Sequence, residues 1–296
     1  MALPKNIDNR PVAVIGAGVL GQRISLMLSA RGGVVHLSDP VSPEALDKAK
    51  AYIDANLEDH VANFNETKGG GFSAGEVKYF NDNNEAARGA WLVIEAVPEV
   101  VDIKNDTYEG LKDALDDDAV LATNSSSYAS STFVDHVKDP TRFLNLHFAM
   151  PPVQNFIEIM GSGQTDQELF DFMLEHMATY GLQVVPVYKE STGFAINRVW
   201  AAIKREVLTV LGEGVSDPEA IDAAFKELTQ GTVGPVEMMD RVGLDTVRNI
   251  ERHYDDELPW TPDVPLELLD KMVDDGKLGL KSGEGFYRWE NGQPQK

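Results

Sequence analysis

The chain has 296 residues, of which 43% are hydrophobic and 25% are charged, and this suggests about two globular domains rather than a disordered chain. Its 48 acidic residues outnumber 26 lysines and arginines and give a net charge of −22, which disfavours binding to nucleic acids and anionic membranes because their phosphates would be repelled. The sequence contains no cysteine, so disulfides, thiolate nucleophiles and cysteine-ligated metal centres are excluded.

The hydropathy pattern gives no sign of a membrane or secretory segment. No apolar run approaches the ~20 residues of a membrane-spanning helix. The first residues, MALPKNIDNR, contain no apolar stretch of signal-peptide length, and the last, NGQPQK, match no common address signal. We therefore expect a cytoplasmic protein.

A glycine-rich turn follows the first predicted strand. Val12 to Ile15 form a buried apolar run, and the sequence Gly16-Ala-Gly18-Val19-Leu20-Gly21 leads from it into an amphipathic helix and a second strand over 34–38. In this context GxGxxG is typical of a dinucleotide-binding turn, with the pyrophosphate at the helix N-terminus. Asp39 is then placed to accept hydrogen bonds from the adenosine ribose. The next residues, PVS, offer no arginine for a 2′-phosphate, so we expect NAD rather than NADP.

The alternation of strands and helices continues to about residue 190. A helical pattern over 44–65 and the loop TKGGGFSAGE precede buried parallel strands at 91–99 and 119–127. Strand patterns return in RFLNLHFAMPP, FIEIM and QVVPVYKE, and the segment LFDFMLEHMATYG predicts a helix. After Glu190 helical periodicity takes over. We predict an α/β protein with a Rossmann-like parallel-sheet domain, residues 1–190, and an all-α domain, residues 191–296.

His147 differs from the other histidines because it ends a predicted strand, where open α/β sheets bind their ligands. The next predicted strand carries Glu158 among apolar residues, and burying an acid there is costly unless it is paired. His147 is its natural partner, and a histidine held by a carboxylate is an oriented general base. The alternative is a Glu158 that faces solvent on an edge strand and a His147 that is simply structural.

Two further polar motifs carry little information by themselves. Asn124 opens a run of serines, Ser125 to Ser127, after a predicted strand, but serine clusters are mostly turns or helix caps. Asn197 lies one turn into the predicted helix that opens the second domain, and an asparagine there is usually just solvated.

Taken together, these motifs resemble the L-3-hydroxyacyl-CoA dehydrogenase family, whose relatives include L-gulonate 3-dehydrogenase and lambda-crystallin. The resemblance extends from the fingerprint near Val12 through IEAVPE, NSSS, NLHF, FIEIM, STGFAINR and GPVEMMDRVGLD to GLKSGEGFY near Tyr287. It implies a Rossmann-like NAD-binding domain, a helical second domain that forms a homodimer, and a place in fatty acid metabolism.

The resemblance also implies roles for individual residues. His147 would be the general base and Glu158 its carboxylate partner, while Ser126 and Asn197 match substrate-contacting residues. Glu99, Lys104 and Lys281 match positions at the nicotinamide end of the cofactor pocket. The full cofactor-binding set would be Gly16, Gly18, Val19, Leu20, Gly21, Asp39, Ala96, Glu99, Lys104, Asn124, Ser126 and Lys281. No metal is required.

Two features depart from the family pattern. Members usually carry an asparagine shortly after the catalytic histidine, but Met150 stands here and cannot make the same hydrogen bond. In the acyl-CoA enzymes the helical excursion after the second strand is rich in lysine and helps to hold the CoA phosphates. Here residues 44–68 carry six acids and three bases. This disfavours a CoA handle, unless the acids simply belong to an acidic surface.

Three interpretations remain. The first is an NAD-dependent dehydrogenase that interconverts the 3-hydroxy and 3-keto groups of an acyl-CoA. The second is the same chemistry on a small molecule without CoA, as in a gulonate dehydrogenase or a secondary-metabolite reductase. The third is an NAD-binding structural or sensing protein without turnover, against which an intact His147–Glu158 pair argues.

Overall fold

The computed structural model describes residues 3–257 and 262–295. The chain divides into two compact units, Met1–Ala195 and Ile196–Lys296, whereas the sequence pattern suggests a boundary after Glu190. Among the described residues, no helix has the length and apolar character required to cross a lipid bilayer.

The first unit is built on an eight-stranded sheet with the order β3-β2-β1-β4-β5-β6-β7-β8. Its strands are β1 (Val12–Ile15), β2 (Val34–Ser38), β3 (Glu76–Phe80), β4 (Leu92–Glu95), β5 (Val120–Thr123), β6 (Phe143–Met150), β7 (Gln154–Gly161) and β8 (Gln183–Val187). The strands β1 to β6 are parallel, while β7 is antiparallel to β6 and parallel to β8. The predicted Rossmann-like fold is therefore confirmed.

Helices cover both faces of this sheet. They are α1 (Val19–Ser29), α2 (Pro43–Thr67), α3 (Asn83–Ala87), α4 (Val101–Leu111) and α5 (Gln167–Ala178), with short 3₁₀ segments at Ile7–Asn9, Ser130–His136 and Pro140–Arg142. Successive strand residues point to opposite faces. Val12 and Val14 accordingly join one core cluster and Ala13 and Ile15 the other. Because both faces of the central strands β1, β4 and β5 are buried, these strands have the continuous apolar runs from which they are predicted.

Strand order reverses at β1. The chain passes from β1 to β2 and β3 on one side and then returns to β4 on the other. In open α/β sheets ligands bind outside the carboxyl ends of the strands at such a switch point. The predicted site residues Asp39, Glu99 and Asn124 follow the carboxyl ends of β2, β4 and β5. His147 does not end its strand as predicted, because Phe148 and Met150 still pair with β7 and β6 continues to Met150.

The second unit is helical, as predicted, and contains α6 (Ile196–Gly212), α7 (Pro218–Thr229), α8 (Pro235–Val242), α9 (Leu244–Glu257) and α10 (Val264–Asp274). A short antiparallel pair, β9 (Arg288–Glu290) and β10 (Gln293–Gln295), adds to these helices. Asn291 and Gly292, at its turn, have φ of 52° and 75°. Asn-Gly favours such a turn because both residues tolerate the left-handed region.

Two of the family-like motifs hold the second unit together. Asp240 of GPVEMMDRVGLD is fully buried and accepts hydrogen bonds from the Phe286 amide, the Tyr287 amide and the Trp289 indole, each at 2.9 Å. Burial raises the pKa of Asp240 above its ordinary value, although these donors oppose the change. This carboxylate fixes the loop after α10, so the motif serves the fold.

Candidate active site

The glycine-rich turn joins β1 to α1. Gly16 has a φ of +107° and lies so close to the next strand that a Cβ would be 2.6 Å from the Ala96 oxygen. A Cβ on Gly21 would lie 1.8 Å from the Gly16 oxygen. At Gly18, in contrast, an added Cβ would meet nothing within 4 Å. The backbone is thus tightly packed behind the turn and open in front of it, as a pyrophosphate cradle requires.

The N-terminus of α1 carries the positive end of the helix dipole. Its N-cap residue, Gly18, has no side chain to satisfy the first-turn amides, which include those of Val19 and Leu20. Val19 is 59% exposed, whereas Leu20 packs against the core. This end of α1 fits an anionic group such as a pyrophosphate.

Asp39 follows β2 and is fixed by backbone amides. Its carboxylate accepts hydrogen bonds from Ala17 at 3.1 Å, Val41 at 3.1 Å and Ser42 at 2.9 Å. The contact with Ala17 attaches it directly to the glycine turn. A carboxylate held there can accept hydrogen bonds from ribose hydroxyls and would repel a 2′-phosphate. The residues present fit NAD.

A buried ionic cluster lies at the carboxyl ends of β4 and β5. Glu95, the last residue of β4, is fully buried. Four donors surround its carboxylate at 2.5–2.8 Å: the Val97 amide, Lys104 Nζ, the Tyr108 hydroxyl and the Thr123 hydroxyl. Burial and the Glu95 charge raise the pKa of Tyr108 well above its ordinary value, so its hydroxyl remains a donor. Lys104 is also buried and reaches a second carboxylate, Glu99 Oε2, at 3.1 Å.

Glu99 holds the serine loop, which we define as Asn124–Ser127. Its Oε1 accepts hydrogen bonds from the Ser125 hydroxyl at 2.6 Å, the Ser126 amide at 3.2 Å and the Ser127 amide at 3.0 Å. Burial alone would raise the pKa of Glu99, but the Ser125 hydrogen bond and the Lys104 charge outweigh it and lower that pKa. The predicted residues Glu99, Lys104 and Ser126 therefore lie together.

The serine loop is also tied to β6. Asn124 Oδ1 accepts a hydrogen bond from the Phe148 amide at 3.0 Å, one residue beyond His147. Asn145, also on β6, accepts the Ser130 amide at 2.7 Å. These contacts connect the serine loop, and through it Glu99, with the strand that carries His147. The Ser126 side chain is exposed.

His147 and Glu158 are direct cross-strand neighbours in the β6–β7 register. Nδ1 of His147 lies 3.3 Å from Glu158 Oε2, and their exposures are 8% and 0%. Because a carboxylate only accepts hydrogen bonds, Nδ1 carries the proton and Nε2 is left to exchange one. The strand β7 lies between β6 and β8, so Glu158 does not face solvent on an edge strand.

The segment after β8 completes the surroundings of this pair. The Ala195 amide donates to Glu158 Oε1 at 2.8 Å. Phe194 is 2% exposed and stacks on His147, with ring centroids 4.7 Å apart and an interplanar angle of 29°. Phe194 has a φ of +55°, a left-handed conformation that is unfavourable for an aromatic residue. The Phe194 ring is therefore held on the imidazole by a locally strained backbone conformation.

Two of the predicted site residues belong to the second unit, and Met150 belongs to the first. Asn197 is in the first turn of α6 and Lys281 follows α10, so both belong to the second unit. Lys281 Nζ donates to Asp245 Oδ1 at 2.8 Å and Thr246 Oγ1 at 3.0 Å. Met150 ends β6 at the tip of the β6–β7 hairpin and is 37% exposed.

Sequence reasoning missed three residues of the site: Glu95, Ser125 and Phe194. The signal for Glu95 was present, since it is an acid that ends the apolar run LVI, as unfavourable to bury as Glu158. Ser125, and not its neighbour Ser126, donates its hydroxyl to Glu99. No local pattern marks Phe194, because its contact with His147 forms only in the folded chain.

A dinucleotide cradle at the switch point and a histidine–carboxylate pair two strands beyond β4 are the arrangement of a nicotinamide-dependent dehydrogenase. The described residues include no cluster of three or more histidine, aspartate or glutamate side chains able to hold a metal ion.

Comparisons with known proteins give the family. Residues 11–191 match the model of the 3-hydroxyacyl-CoA dehydrogenase NAD-binding domain, and residues 193–289 match that of the C-terminal domain. A 3-hydroxybutyryl-CoA dehydrogenase of Bradyrhizobium diazoefficiens is 31% identical over 96% of this chain and 97% of its own length. The 5-formyl-3-hydroxy-2-methylpyridine 4-carboxylate 5-dehydrogenase of Mesorhizobium japonicum is 29% identical over 94% of this chain and 90% of its own length.

A solved structure gives the same result. The crystal structure of (S)-3-hydroxybutyryl-CoA dehydrogenase from Ralstonia eutropha is 26% identical, covers 96% of this chain and 100% of its own, and superposes with a TM-score of 0.82. The chain therefore belongs to the 3-hydroxyacyl-CoA dehydrogenase family and is an NAD-dependent oxidoreductase.

Proposed function

We propose that this protein interconverts a secondary 3-hydroxy group and a 3-keto group, with His147 as the general base and acid. When bound, NAD supplies the hydride acceptor, and its reduced form the hydride donor. The observation that carries the proposal is the buried His147–Glu158 pair, with Nδ1 3.3 Å from the carboxylate. This contact leaves Nε2 to take the hydroxyl proton in oxidation and to return it in reduction.

The surrounding residues support this proton transfer. Protonation of Nε2 makes an imidazolium in a buried position, and the Glu158 carboxylate compensates that charge without reorganising. The Ala195 amide holds the other carboxylate oxygen, and Phe194 fixes the ring plane. The imidazole is therefore oriented before substrate binds, which is how a positioned base contributes most.

Substrate and cofactor contacts follow from the same proposal. We assign Ser126 to hydrogen-bond the reacting oxygen and Asn197 to contact the substrate. Anchoring of the serine loop by Glu99 supports the first assignment, since a fixed backbone presents the exposed Ser126 hydroxyl in one place. The cofactor-binding set is Gly16, Gly18, Val19, Leu20, Gly21, Asp39, Ala96, Glu99, Lys104, Asn124, Ser126 and Lys281.

The substrate that family membership favours is a 3-hydroxyacyl-CoA. The matching family models and the Bradyrhizobium relative carry that substrate class in their names. Fatty acid metabolism is the corresponding physiological setting. On this reading the acids of α2 belong to the general surface of a protein with a net charge of −22.

A second candidate is a 3-hydroxy acid or 3-keto compound without CoA. It is favoured by the surface of α2, where every acidic side chain is exposed: Glu44, Asp47, Asp54, Glu58, Asp59 and Glu66. Lys50, one of two lysines on this helix, is already paired with Asp54 at 2.6 Å. Such a surface would repel the phosphates of CoA. The Mesorhizobium relative, named for a pyridine carboxylate, supports this candidate.

The experiment follows NADH absorbance with purified protein and either acetoacetyl-CoA or uncoupled 3-keto acids at matched concentration. Oxidation with the thioester alone supports the acyl-CoA proposal, and oxidation with uncoupled substrates alone supports the second candidate. No oxidation with either, in protein that binds NADH, would contradict both and favour a role without turnover.

Charge reversal on α2 sharpens this test. In the double variant Glu58→Lys/Asp59→Lys, we expect the KM for acetoacetyl-CoA to fall about threefold, because two exposed repulsive charges become attractive. The KM for an uncoupled keto acid serves as the control and should not change. An unchanged KM for the thioester would mean that α2 does not contact CoA.

We also infer a homodimer and a cytoplasmic location. Exposed apolar side chains on the second unit, including Val199 at 58%, Leu228 at 81% and Val242 at 51%, support self-association. Sedimentation equilibrium would test the dimer. The lack of cysteine suits, but does not require, a reducing compartment, and fractionation of cells that express the tagged protein would test the location.

A further inference from the structure

Glu95, Lys104 and Glu99 form an ionic cluster in which Glu95 and Lys104 are buried and Glu99 is exposed. In the proposed function Asp39 would hold the adenosine ribose at the end of β2, and the dinucleotide would cross the switch point between β1 and β4. The nicotinamide half would then lie towards the carboxyl ends of β4 and β5, where Glu95 and Thr123 are. This step rests on the cofactor placement in the proposed function.

The three ionisable groups leave one negative charge uncompensated. Lys104 Nζ is 2.8 Å from Glu95 and 3.1 Å from Glu99. In the part of the chain that the structure describes, Lys104 is the only cation within 4 Å of either carboxylate. One ammonium thus serves two carboxylates, and the net charge of the triad is −1.

Four donors surround the Glu95 carboxylate. Each of its two oxygens accepts two hydrogen bonds, from the Val97 amide and Lys104 on one side and from the Tyr108 and Thr123 hydroxyls on the other. The Tyr108 and Thr123 hydroxyls are neutral and do not cancel the charge. Since Glu95 and Lys104 are almost fully buried, water screens this charge less than it would at the surface.

The two redox forms of the cofactor differ in charge at one place, the nicotinamide ring, which is cationic when oxidised and neutral when reduced. We propose that the net negative charge of the Glu95–Lys104–Glu99 triad makes the protein bind oxidised NAD more tightly, relative to reduced NAD, than an uncharged cluster would. In this proposal Glu95, the fully buried last residue of β4, is the charge that favours binding of oxidised over reduced cofactor.

The test measures dissociation constants for NAD⁺ and NADH by calorimetry and by NADH fluorescence, without substrate. Glu95→Gln changes the triad from −1 to 0 and retains the shape of the side chain. We expect the ratio Kd(NAD⁺)/Kd(NADH) to rise on the order of fivefold, because a buried negative charge that would attract the cationic ring is removed. Lys104→Gln changes the triad to −2, and the ratio should move in the opposite direction.

Tyr108→Phe is the matched control because it removes one hydrogen bond to Glu95 without changing the charge. Its ratio should equal that of the parent protein even if the variant is less stable. An unchanged ratio in folded Glu95→Gln, or shifts of the same sign in Glu95→Gln and Lys104→Gln, would overturn the proposal. If Glu95→Gln does not fold, the sign of the Lys104→Gln shift decides.

A failure of the proposed function looks different. If the parent protein binds neither NAD⁺ nor NADH, cofactor binding itself is contradicted. Asp39→Ala tests the cofactor placement, and we expect it to weaken both forms equally, since both carry the same adenosine ribose. If both forms bind and Asp39→Ala weakens the binding of both, the ratio Kd(NAD⁺)/Kd(NADH) in the Glu95 and Lys104 variants tests the charge proposal alone.

Discussion

Two histidines of the first unit have nearly the same burial and entirely different surroundings. His147 is 8% exposed and faces the Glu158 carboxylate, 3.3 Å away. His176 is 9% exposed and lies among the rings of Trp91, Phe172 and Tyr180, at centroid distances of 4.9, 5.3 and 5.7 Å. Its Nε2 has no hydrogen-bond partner among the described residues. Burial therefore does not distinguish a candidate base from a core histidine, whereas the partner does.

The difference appears in their chemistry. Burial, assisted by the nearby Arg31 charge, lowers the pKa of His176 to about 4, so at neutral pH its ring is an uncharged aromatic side chain of the core. At His147 the Glu158 carboxylate would compensate the imidazolium charge that the proposed proton transfer creates. In that proposal the same residue type is an aromatic core side chain at one position and a proton carrier at the other.

The strongest test of this comparison is His147→Gln. We expect kcat to fall about 10³-fold, which lies within the 10²–10⁴-fold that a positioned general acid and base typically contributes. The matched variant His176→Phe should keep kcat within about twofold. Both variants are assayed with whichever keto substrate oxidises NADH most rapidly. Retention of turnover in His147→Gln would make the assignment of the base wrong.

Glu158→Gln addresses the partner. The amide can still accept a hydrogen bond from Ala195, but it cannot compensate an imidazolium charge, so we expect kcat to fall about 10²-fold with a small change in KM. Thermal unfolding monitors the fold in parallel. A variant that is folded and fully active would show that Glu158 has no part in proton transfer.

The third prediction concerns stability and pH. The pKa of His176 is depressed in the folded state, so its neutral form contributes stability that is present above the unfolded value of 6.5 and is lost as pH falls towards 4. At pH 5 the loss is about 2 kcal/mol relative to pH 7.5. In His176→Phe this part of the loss should vanish. Urea unfolding of both proteins at the two pH values measures the difference, and equal losses would refute it.

The sequence predicts those parts of the molecule whose conformation depends on residues that are close together in the chain. The turn over Gly16 to Gly21 and the carboxylate of Asp39 are local features, and the structure contains both. The strand β3 is absent from the predicted elements because Glu76–Phe80 has no buried residue and owes its conformation to pairing with β2. The hairpin of β9 and β10 had a local signal in Asn291-Gly292, which the helical interpretation of the second domain overlooked.

The candidate site divides in the same way. A buried acid in an apolar strand indicates that a partner exists, and this reasoning placed Glu158 with His147. It does not identify partners distant in sequence. The contacts of Glu95 come from Tyr108 on α4 and Thr123 on β5, so they form only when these elements pack against β4. Site residues that are held by such long-range contacts can be identified only from the folded structure.

The smallest predicted effect concerns Phe194. It tests how much the aromatic ring stacked on His147 contributes to kcat. The stack on His147 holds the imidazole plane, and an aromatic face stabilises a cation by about 0.5–1 kcal/mol. Phe194→Leu keeps an apolar side chain but removes the face, so we expect kcat to fall about three- to fivefold at constant KM. Phe194→Tyr, which restores the face, should recover the rate. His176 has three aromatic neighbours and, in the described part of the chain, no carboxylate partner. If the parent protein, Phe194→Leu and Phe194→Tyr have equal rates, the ring contact does not contribute, and Glu158 alone distinguishes His147 from His176.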